Sequence, residues 1–326
     1  MNKSRILKII EESICSTLES YPQIVAVITM GSCARGEETY QVNECGEKEL
    51  LSDYEMIIAI EDDAEIDDID SSLRCLNQKL QEQIANHGFC LEWSYKTRQE
   101  LKRLDRRFIF FEAKSSSHVI MGDKTVLDEM PEINCNNLNY SELNTIILHR
   151  LYHVIRDMDV PDEKYQKYLI ARNTLDITSA ALPHAGILVS GYRNRVAAFE
   201  SVYQQMGFLR NDYERLVMYL QMKLNYSSEL YNTASLENMR KWFVSDFEKL
   251  YAYQKHAQKG SPFIRSSRMF LSAVYRRNTS LLRQWYQWPF IMQKLYEDMM
   301  RILIDEEDDK VLKETVACRM QSIFGY

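Results

Sequence analysis

The sequence lacks paired cysteines, although it contains seven cysteines in all. They are scattered, and none has C-x-x-C spacing: Cys15, Cys33, Cys45, Cys75, Cys90, Cys135 and Cys318. A disulfide framework uses an even set of cysteines, and a zinc ribbon uses closely spaced pairs. The pattern fits neither class and indicates reduced thiols, as in cytosolic proteins.

Long apolar runs are also absent. No stretch approaches the roughly 20 apolar residues that a membrane-spanning helix needs. The first residues alternate like an amphipathic helix and lack the apolar core of a signal peptide. We therefore expect a cytoplasmic protein with no membrane partner.

Positive charge is in short supply. The 40 Lys and Arg residues face 47 Asp and Glu residues, for a formal net charge of -7. Because non-specific nucleic-acid binding depends on Lys and Arg contacts to phosphates, no general nucleic-acid binding is expected. Two local basic groups lie at Arg103, Arg106 and Arg107 and at Arg193 and Arg195.

The chain has 326 residues, of which 45% are hydrophobic, so it can form two domains with substantial cores. Strand and helix patterns mix up to about residue 125, and only helical patterns follow from about Asn139. We predict an α+β protein. Its first domain, residues 1–130, contains a mixed sheet flanked by helices, and its second, residues 131–326, is all helical.

The first half is predicted to form strands at 24–30, 53–60, 89–95 and 118–121, and helices at 4–19 and 73–85. The acidic run at 61–70 is predicted to be a solvated loop. Helices of the second half are predicted at 141–157, 162–182, 192–206, 211–224, 236–258, 265–276, 280–304 and 308–324.

One strand carries the residues best suited to chemistry. Asp53 and Glu55 are two apart, so their side chains point to the same face of the strand. Two adjacent carboxylates repel each other unless a cation lies between them. Hard oxygen ligands of this kind suit Mg²⁺ bound to the phosphates of a nucleotide. We therefore predict that both residues bind Mg²⁺.

The turn before this strand supplies groups for phosphate binding. Gly31 has no Cβ to obstruct a phosphate, and Ser32 offers a hydroxyl. The start of the helix that follows offers unpaired N–H groups. Arg35 lies three residues after Ser32 and is predicted to bind the same phosphate through its guanidinium.

The segments MGSCARGE and LSDYEMIIAI resemble the polymerase-β-like nucleotidyltransferase superfamily. Its signature is an apolar strand ending in Gly-Ser, followed by a strand with Asp-X-Asp or Asp-X-Glu between apolar residues. The form seen here is especially similar to small bacterial members such as antibiotic nucleotidyltransferases. The resemblance covers about residues 20–125. It implies a nucleotidyltransferase fold in the first domain and an acceptor-binding role for the helical domain.

The resemblance also implies a third catalytic carboxylate, on the strand after the intervening helix. Glu92 matches this position, and its implied role is to complete the metal site or to take the proton from the attacking hydroxyl. Glu112 is a rival, but its segment is predicted to be a helix that runs into a short strand.

The connection between Gly31 and Asp53 departs from the family, because residues 37–51 form a longer, acidic insert. The insert either reaches the substrate or is a surface elaboration, and surface loops tolerate such additions at low cost. The surface interpretation is favoured.

In the helical half, relatives use a basic or aromatic side chain to contact the nucleotide, and Tyr168 and Arg172 are the candidates here. The alternative is an ordinary amphipathic helix with solvated basic residues. His149 and His153 have metal-binding spacing, but no acidic third ligand follows at a fixed distance, so helix packing or solvent exposure is favoured over zinc.

The sequence therefore predicts a Mg²⁺-dependent nucleotidyltransferase that moves a nucleoside monophosphate from an NTP to a hydroxyl of an acceptor, with release of pyrophosphate. The favoured acceptor is a small molecule, while a second nucleotide, a protein or a tRNA end are alternatives that use the same core. A different class is also open: a noncatalytic protein that keeps the fold and binds a nucleotide or a partner.

Overall fold

The computed structural model describes residues 5–42, 46, 48–84 and 89–257, together with 298–299, 301, 313–314 and 316–317. The chain divides into two compact units. The first combines residues 1–139 with 188–198 and 220–229, and the second combines 140–187, 199–219 and 230–326. The mixed α+β class is confirmed, since the first unit contains sheets as well as helices. The domain boundary at residues 130–131 stays a prediction.

Six strands form two sheets in the first unit: β1 (Ile24–Thr29), β2 (Tyr40–Val42), β3 (Lys48–Leu50), β4 (Tyr54–Ile60), β5 (Leu91–Thr97) and β6 (His118–Gly122). The main sheet has the order β5-β4-β1-β6, and β2 pairs with β3 in a small hairpin. β4 runs parallel to β5, whereas β1 is antiparallel to both β4 and β6. The end of β1 therefore lies beside the start of β4.

Helices cover both faces of the main sheet: α1 (Arg5–Leu18), α2 (Gly31–Arg35), α3 (Asp67–Ile84), α4 (Arg98–Lys102) and α5 (Phe108–Ser116). Tyr54, Met56 and Ile58 of β4 belong to a core shared with α1 and α3. Ile57 and Ala59 belong to a second core, which includes residues of α4 and α5. This alternation follows from the two-residue period of a strand, and it places Glu55 on the face of α4 and α5.

The second unit is built mainly from α6 (Tyr140–Arg156), α7 (Glu163–Ala181), α9 (Arg210–Leu224) and α10 (Leu236–Ala257), although α9 belongs to the first unit from residue 220 onward. α8 (Tyr192–Phe199) belongs to the first unit up to residue 198. α7 packs against α6 and α10 and is buried over most of its length. Its buried hydroxyls donate to the preceding turn, as Thr174 Oγ1 does to Ile170 O at 2.8 Å. No helix of the described part of the chain combines the length and apolar character needed to cross a bilayer.

Two predictions of local structure are wrong. α3 begins at Asp67, within the acidic run for which a loop is predicted. Asp67, Asp68 and Asp70 occupy the first turn, where the positive end of the helix dipole favours carboxylates. The helix predicted at 192–206 ends at Phe199, and a separate 3₁₀ turn follows at Tyr203–Met206.

The helices predicted at 265–276, 280–304 and 308–324 lie outside the described residues, apart from the few positions given above.

Candidate functional site

The turn at Gly31 lies directly against the carboxylate of Glu55. Gly31 has a φ of 66°, in the left-handed region that favours glycine. A Cβ at this position would lie 2.6 Å from Glu55 Oε2, far inside van der Waals contact. The backbone on both sides is also joined, since Met30 N donates to Glu55 O at 2.8 Å. The structure therefore brings together two of the predicted site residues, and it explains why this position is glycine.

Asp53 and Glu92 lie at the same end of the sheet as Glu55. Asp53 comes immediately before β4 begins, and Glu92 is the register partner of Glu55 on the parallel strand β5. Neighbouring strands are roughly 4.8 Å apart. The pKa of the Cys90 thiol is raised by burial first and then by the carboxylates of Asp53 and Glu92, so both acids are within electrostatic range of this thiol.

The thiol of Cys33 on α2 is also affected by the negative charge of the site. Burial raises the pKa of its thiol, and the carboxylates of Glu38, Glu55 and Asp53 raise it further, while the Lys223 ammonium opposes them. Cys33 Sγ also lies 3.5 Å from Asp53 O. Glu38 is not among the predicted site residues, although its place in the run Gly-Glu-Glu directly after Ala-Arg marks it as a nearby acid.

The donor set suits Mg²⁺ in part. Among the residues that the structure describes, no group of three or more His, Cys, Asp or Glu side chains is arranged to hold a metal ion. Magnesium, however, is usually held by one or two carboxylates together with substrate phosphates and water, and not by a cage made of protein alone. Asp53 and Glu55 offer hard oxygen donors of the required kind.

Arg35 is engaged by carboxylates of the protein itself. Its side chain is 8% exposed, its Nε donates to Glu37 Oε2 at 3.1 Å, and its Nη1 lies 3.3 Å from Glu112 Oε1. Burial acts to lower the pKa of Arg35, but Glu112 and Glu37 outweigh burial and raise it. Phosphate binding by Arg35 stays a prediction. The observed contacts join α2 to Glu37 and to Glu112 through the Arg35 guanidinium.

Glu37, the first residue of the insert, is a buried anchor. Its carboxylate accepts the N–H groups of Tyr192 and Arg193, at 2.8 and 2.9 Å, at the start of α8. Burial acts to raise the pKa of Glu37, but these N–H groups and the Arg35 charge lower it overall. Lys223 Nζ donates to Glu37 O at 2.9 Å.

The favoured interpretation of the insert as a surface elaboration is wrong for its ends. Glu37 and Thr39 near the start are 4% and 0% exposed, and Glu49 and Leu50 near the end are 8% and 0% exposed. No local pattern in the sequence indicates this burial, because the partners of Glu37 and Thr39 lie on α8 and α9.

Tyr168 and Arg172 belong to the second unit. Tyr168 is 2% exposed and stacks on Tyr165, with 5.8 Å between ring centroids, so its ring forms part of the helical core. Arg172 is half-buried, and its charge is one of those that lower the pKa of His153. The predicted contacts of both residues with a nucleotide stay predictions.

His149 and His153 contact each other, with 3.0 Å between their Nε2 atoms. Burial, followed by the charges of Arg150 and Arg156, lowers the pKa of His149 to about 4. Burial and the neighbouring positive charges lower the pKa of His153 to about 3. Both rings are therefore neutral at pH 7, and the adjacent arginines oppose a bound cation, as expected for packing within the helical unit.

A comparison of the sequence with protein-family models and with curated proteins found no match. The nucleotidyltransferase resemblance therefore stays a prediction from the motifs of residues 20–125.

Proposed function

We propose that this protein is a Mg²⁺-dependent nucleotidyltransferase whose first unit has the nucleotidyltransferase fold. The observation that carries the proposal is the contact of Gly31 with the Glu55 carboxylate, at the end of the sheet where Asp53 and Glu92 also lie. Because Gly31 has no Cβ, the Glu55 carboxylate can approach the backbone of the turn, which puts a metal ligand next to the Ser32 hydroxyl proposed to bind phosphate. The proposed reaction transfers a nucleoside monophosphate from an NTP to a hydroxyl, with loss of pyrophosphate.

Each residue has a distinct role in this proposal. Asp53 and Glu55 hold Mg²⁺, which when bound offsets the negative charge of the triphosphate. Ser32 donates its hydroxyl to a phosphate oxygen. Glu92 takes the proton of the acceptor hydroxyl, whose oxygen then forms a bond to the α-phosphorus. The bond from the α-phosphorus to the bridging oxygen breaks in line, and pyrophosphate leaves with that electron pair.

Glu92 is preferred to Glu112 as the base. Glu92 is exposed and is paired in register with Glu55, so an acceptor hydroxyl can reach it from solvent. Glu112 lies on α5, where its Oε1 accepts from both Arg35 and Arg195. A carboxylate oxygen that already accepts from two guanidinium groups is poorly placed to take a proton from a substrate.

A small hydroxylated molecule is the proposed acceptor. The net charge of -7 disfavours a tRNA end, since RNA backbones are anionic. Transfer to a second nucleotide or to a protein uses the same groups, and mass spectrometry of candidate acceptors incubated with each NTP distinguishes these products.

Replacement of Asp53 tests the proposal. We expect Asp53→Asn to lower Mg²⁺-dependent pyrophosphate release by about 100-fold, because an amide is a neutral and weaker metal ligand. Asp63→Asn is the matched control, since Asp63 is exposed and follows the opposite end of β4. Equal release by the wild-type protein and Asp53→Asn would rule out the assignment.

The alternative is a noncatalytic nucleotide-binding protein. It is favoured by the lack, among the described residues, of three side chains arranged to hold a metal. Calorimetry separates the two functions, because a nucleotidyltransferase of the proposed kind binds NTP more tightly with Mg²⁺. Nucleotide binding that is the same with and without Mg²⁺, and without pyrophosphate release, would favour the alternative.

A further inference from the structure

Glu112 joins α2 and α5 to a distant segment of the chain. Its Oε1 lies 3.3 Å from Arg35 Nη1 and accepts a close contact from Arg195 Nη2. Ser190 Oγ and Gly191 N also lie near the same oxygen, at 3.2 and 3.4 Å. One carboxylate oxygen is thus the common acceptor of α2, of α8 and of the two residues before α8.

α2 depends on such contacts for its position. It has five residues, from Gly31 to Arg35, and its N-cap residue Met30 makes no side-chain hydrogen bond. A single turn of helix is not stable by itself, because the cost of nucleation exceeds the gain from one or two hydrogen bonds. The ion pairs of Arg35 with Glu37 and Glu112, both largely buried, therefore hold the carboxyl end of α2.

We propose that Glu112 is a positioning residue of the candidate site. It fixes Arg35, and Arg35 fixes the helix whose other end carries Gly31 and Ser32. This inference rests on the proposed function, in which Gly31 and Ser32 face the phosphates. Misplacement of reacting groups by about 1 Å can lower a rate by about 100-fold, so a small shift of α2 has a large effect on turnover.

Arg195 adds a second buried positive charge beside Arg35, and this charge increases the expected effect of losing Glu112. It is 3% exposed, and its guanidinium lies over the rings of Phe108 and Tyr192, at 4.9 and 5.5 Å from their centroids. Without the Glu112 charge, two buried guanidinium groups, of Arg35 and Arg195, share one neighbourhood and repel each other. Both guanidinium groups lie over the Tyr192 ring, at 5.6 and 5.5 Å from its centroid, and Arg35 belongs to α2, so this repulsion acts on α2 through Arg35.

Glu129→Gln is a matched control for Glu112→Gln. Side chains of Glu129 and Glu112 are 23% and 18% exposed, and each binds two cations. Glu129 binds Arg98 and Lys102, which lie away from α2. Both variants lose a carboxylate that binds two cations, although the partners of Glu129 are more exposed than those of Glu112, and only Glu112→Gln changes the support of α2.

The experiment combines hydrogen exchange of the full chain with pyrophosphate release, at a temperature where all proteins are folded. The reporters are the amides of Ala34, Gly36 and Glu37, which donate to Met30 O or Ser32 O. We expect Glu112→Gln to speed their exchange by about 10-fold and to lower kcat by about 10- to 100-fold, with a smaller rise in KM for NTP. We expect Glu129→Gln to leave both measurements as in the wild-type protein.

Unchanged exchange at these amides in Glu112→Gln, or equal changes in both variants, would overturn the inference. A wild-type protein that releases no pyrophosphate would instead overturn the proposed function. The exchange rates then still decide whether Glu112 positions α2, so the two failures are distinguishable.

Discussion

Gly31 carries two separate constraints on a single residue. Its φ of 66° requires a residue without a Cβ for conformational reasons, and the Glu55 carboxylate occupies the space that a Cβ would fill. A residue with a Cβ at this position would have two different effects. Strain from the φ angle would lower the stability of the fold. The clash would be relieved by moving the end of the flexible Glu55 side chain, which would displace a proposed metal ligand.

We expect Gly31→Ala to destabilise the protein by about 1 kcal/mol and to abolish Mg²⁺-dependent nucleotide binding. Gly186→Ala is the control, because Gly186 has a φ of 82° and no atom lies within 4 Å of the place that its Cβ would take. Urea unfolding measures stability, and calorimetry measures binding. If Gly31→Ala binds nucleotide as the wild-type protein does, Glu55 has no part in the metal site.

The sequence was informative for residues with local requirements. The Gly-Ser turn and the alternation of Asp53 and Glu55 with Tyr54 follow from backbone geometry, and the structure shows Tyr54 buried in the core and Glu55 beside Gly31. The partners of Arg35 could not be predicted in this way. Glu112 is far away in the chain, and no helical or strand period relates the two positions.

Among the elements, the strands and helices with clear periodicity were predicted within a few residues, including β1, β4 and α7. The β2–β3 hairpin was missed because its strands have three residues each, too few to show a period, and because β3 carries Lys48 and Glu49. The start of α3 was missed because acidic residues are common both in loops and in the first turn of a helix.

The lowered pKa values of the two histidines of α6 predict how the stability of the protein depends on pH. The folded-state pKa values of His149 and His153, about 4 and about 3, lie below the ordinary value of 6.5. The unfolded chain therefore binds more protons below pH 6.5, and stability falls as the pH decreases from about 6.5 towards 3. We expect the double variant His149→Gln/His153→Gln to show a weaker loss of stability over this range.

Chemical unfolding at a series of pH values measures this effect. His118→Gln is the control, because His118 lies on β6, near Glu11, in the first unit. Asp246 acts in the opposite direction, since burial raises its pKa to about 6 and so favours the folded state as the pH decreases. A double variant with the same pH dependence as the wild-type protein would show that the histidine pair does not titrate as described.

At the scale of the whole molecule, the first unit is assembled from three stretches of chain. Glu37 and Glu112 lie within the first 139 residues, but several of their partners do not. Residues 188–198 and 220–229 supply these partners. Hydrophobic patterns could suggest a boundary near residue 130 but could not show this exchange of segments, because it depends on contacts between residues far apart in sequence.

We expect a fragment of residues 1–139 to fold poorly, because Glu37 would lose its donors on α8 and α9, and Glu112 would lose Arg195. Removing one partner of a buried ion pair costs about 3–5 kcal/mol, a large share of the stability of a small domain. Circular dichroism during heating measures this, with the full chain as the reference. A fragment that melts cooperatively at the temperature of the full chain would show that the added segments are dispensable.

The interleaved first unit also sets the order of events during synthesis. Tyr192 follows Glu37 by 155 positions, and Lys223 follows it by 186. At about 5–20 residues per second, roughly 10 to 40 s pass on the ribosome before Lys223 is made. Until then the nascent sheet carries the Arg35–Glu37 pair without the donors on α8 and α9 that bind Glu37 in the folded protein, so its final packing is a late step of biogenesis.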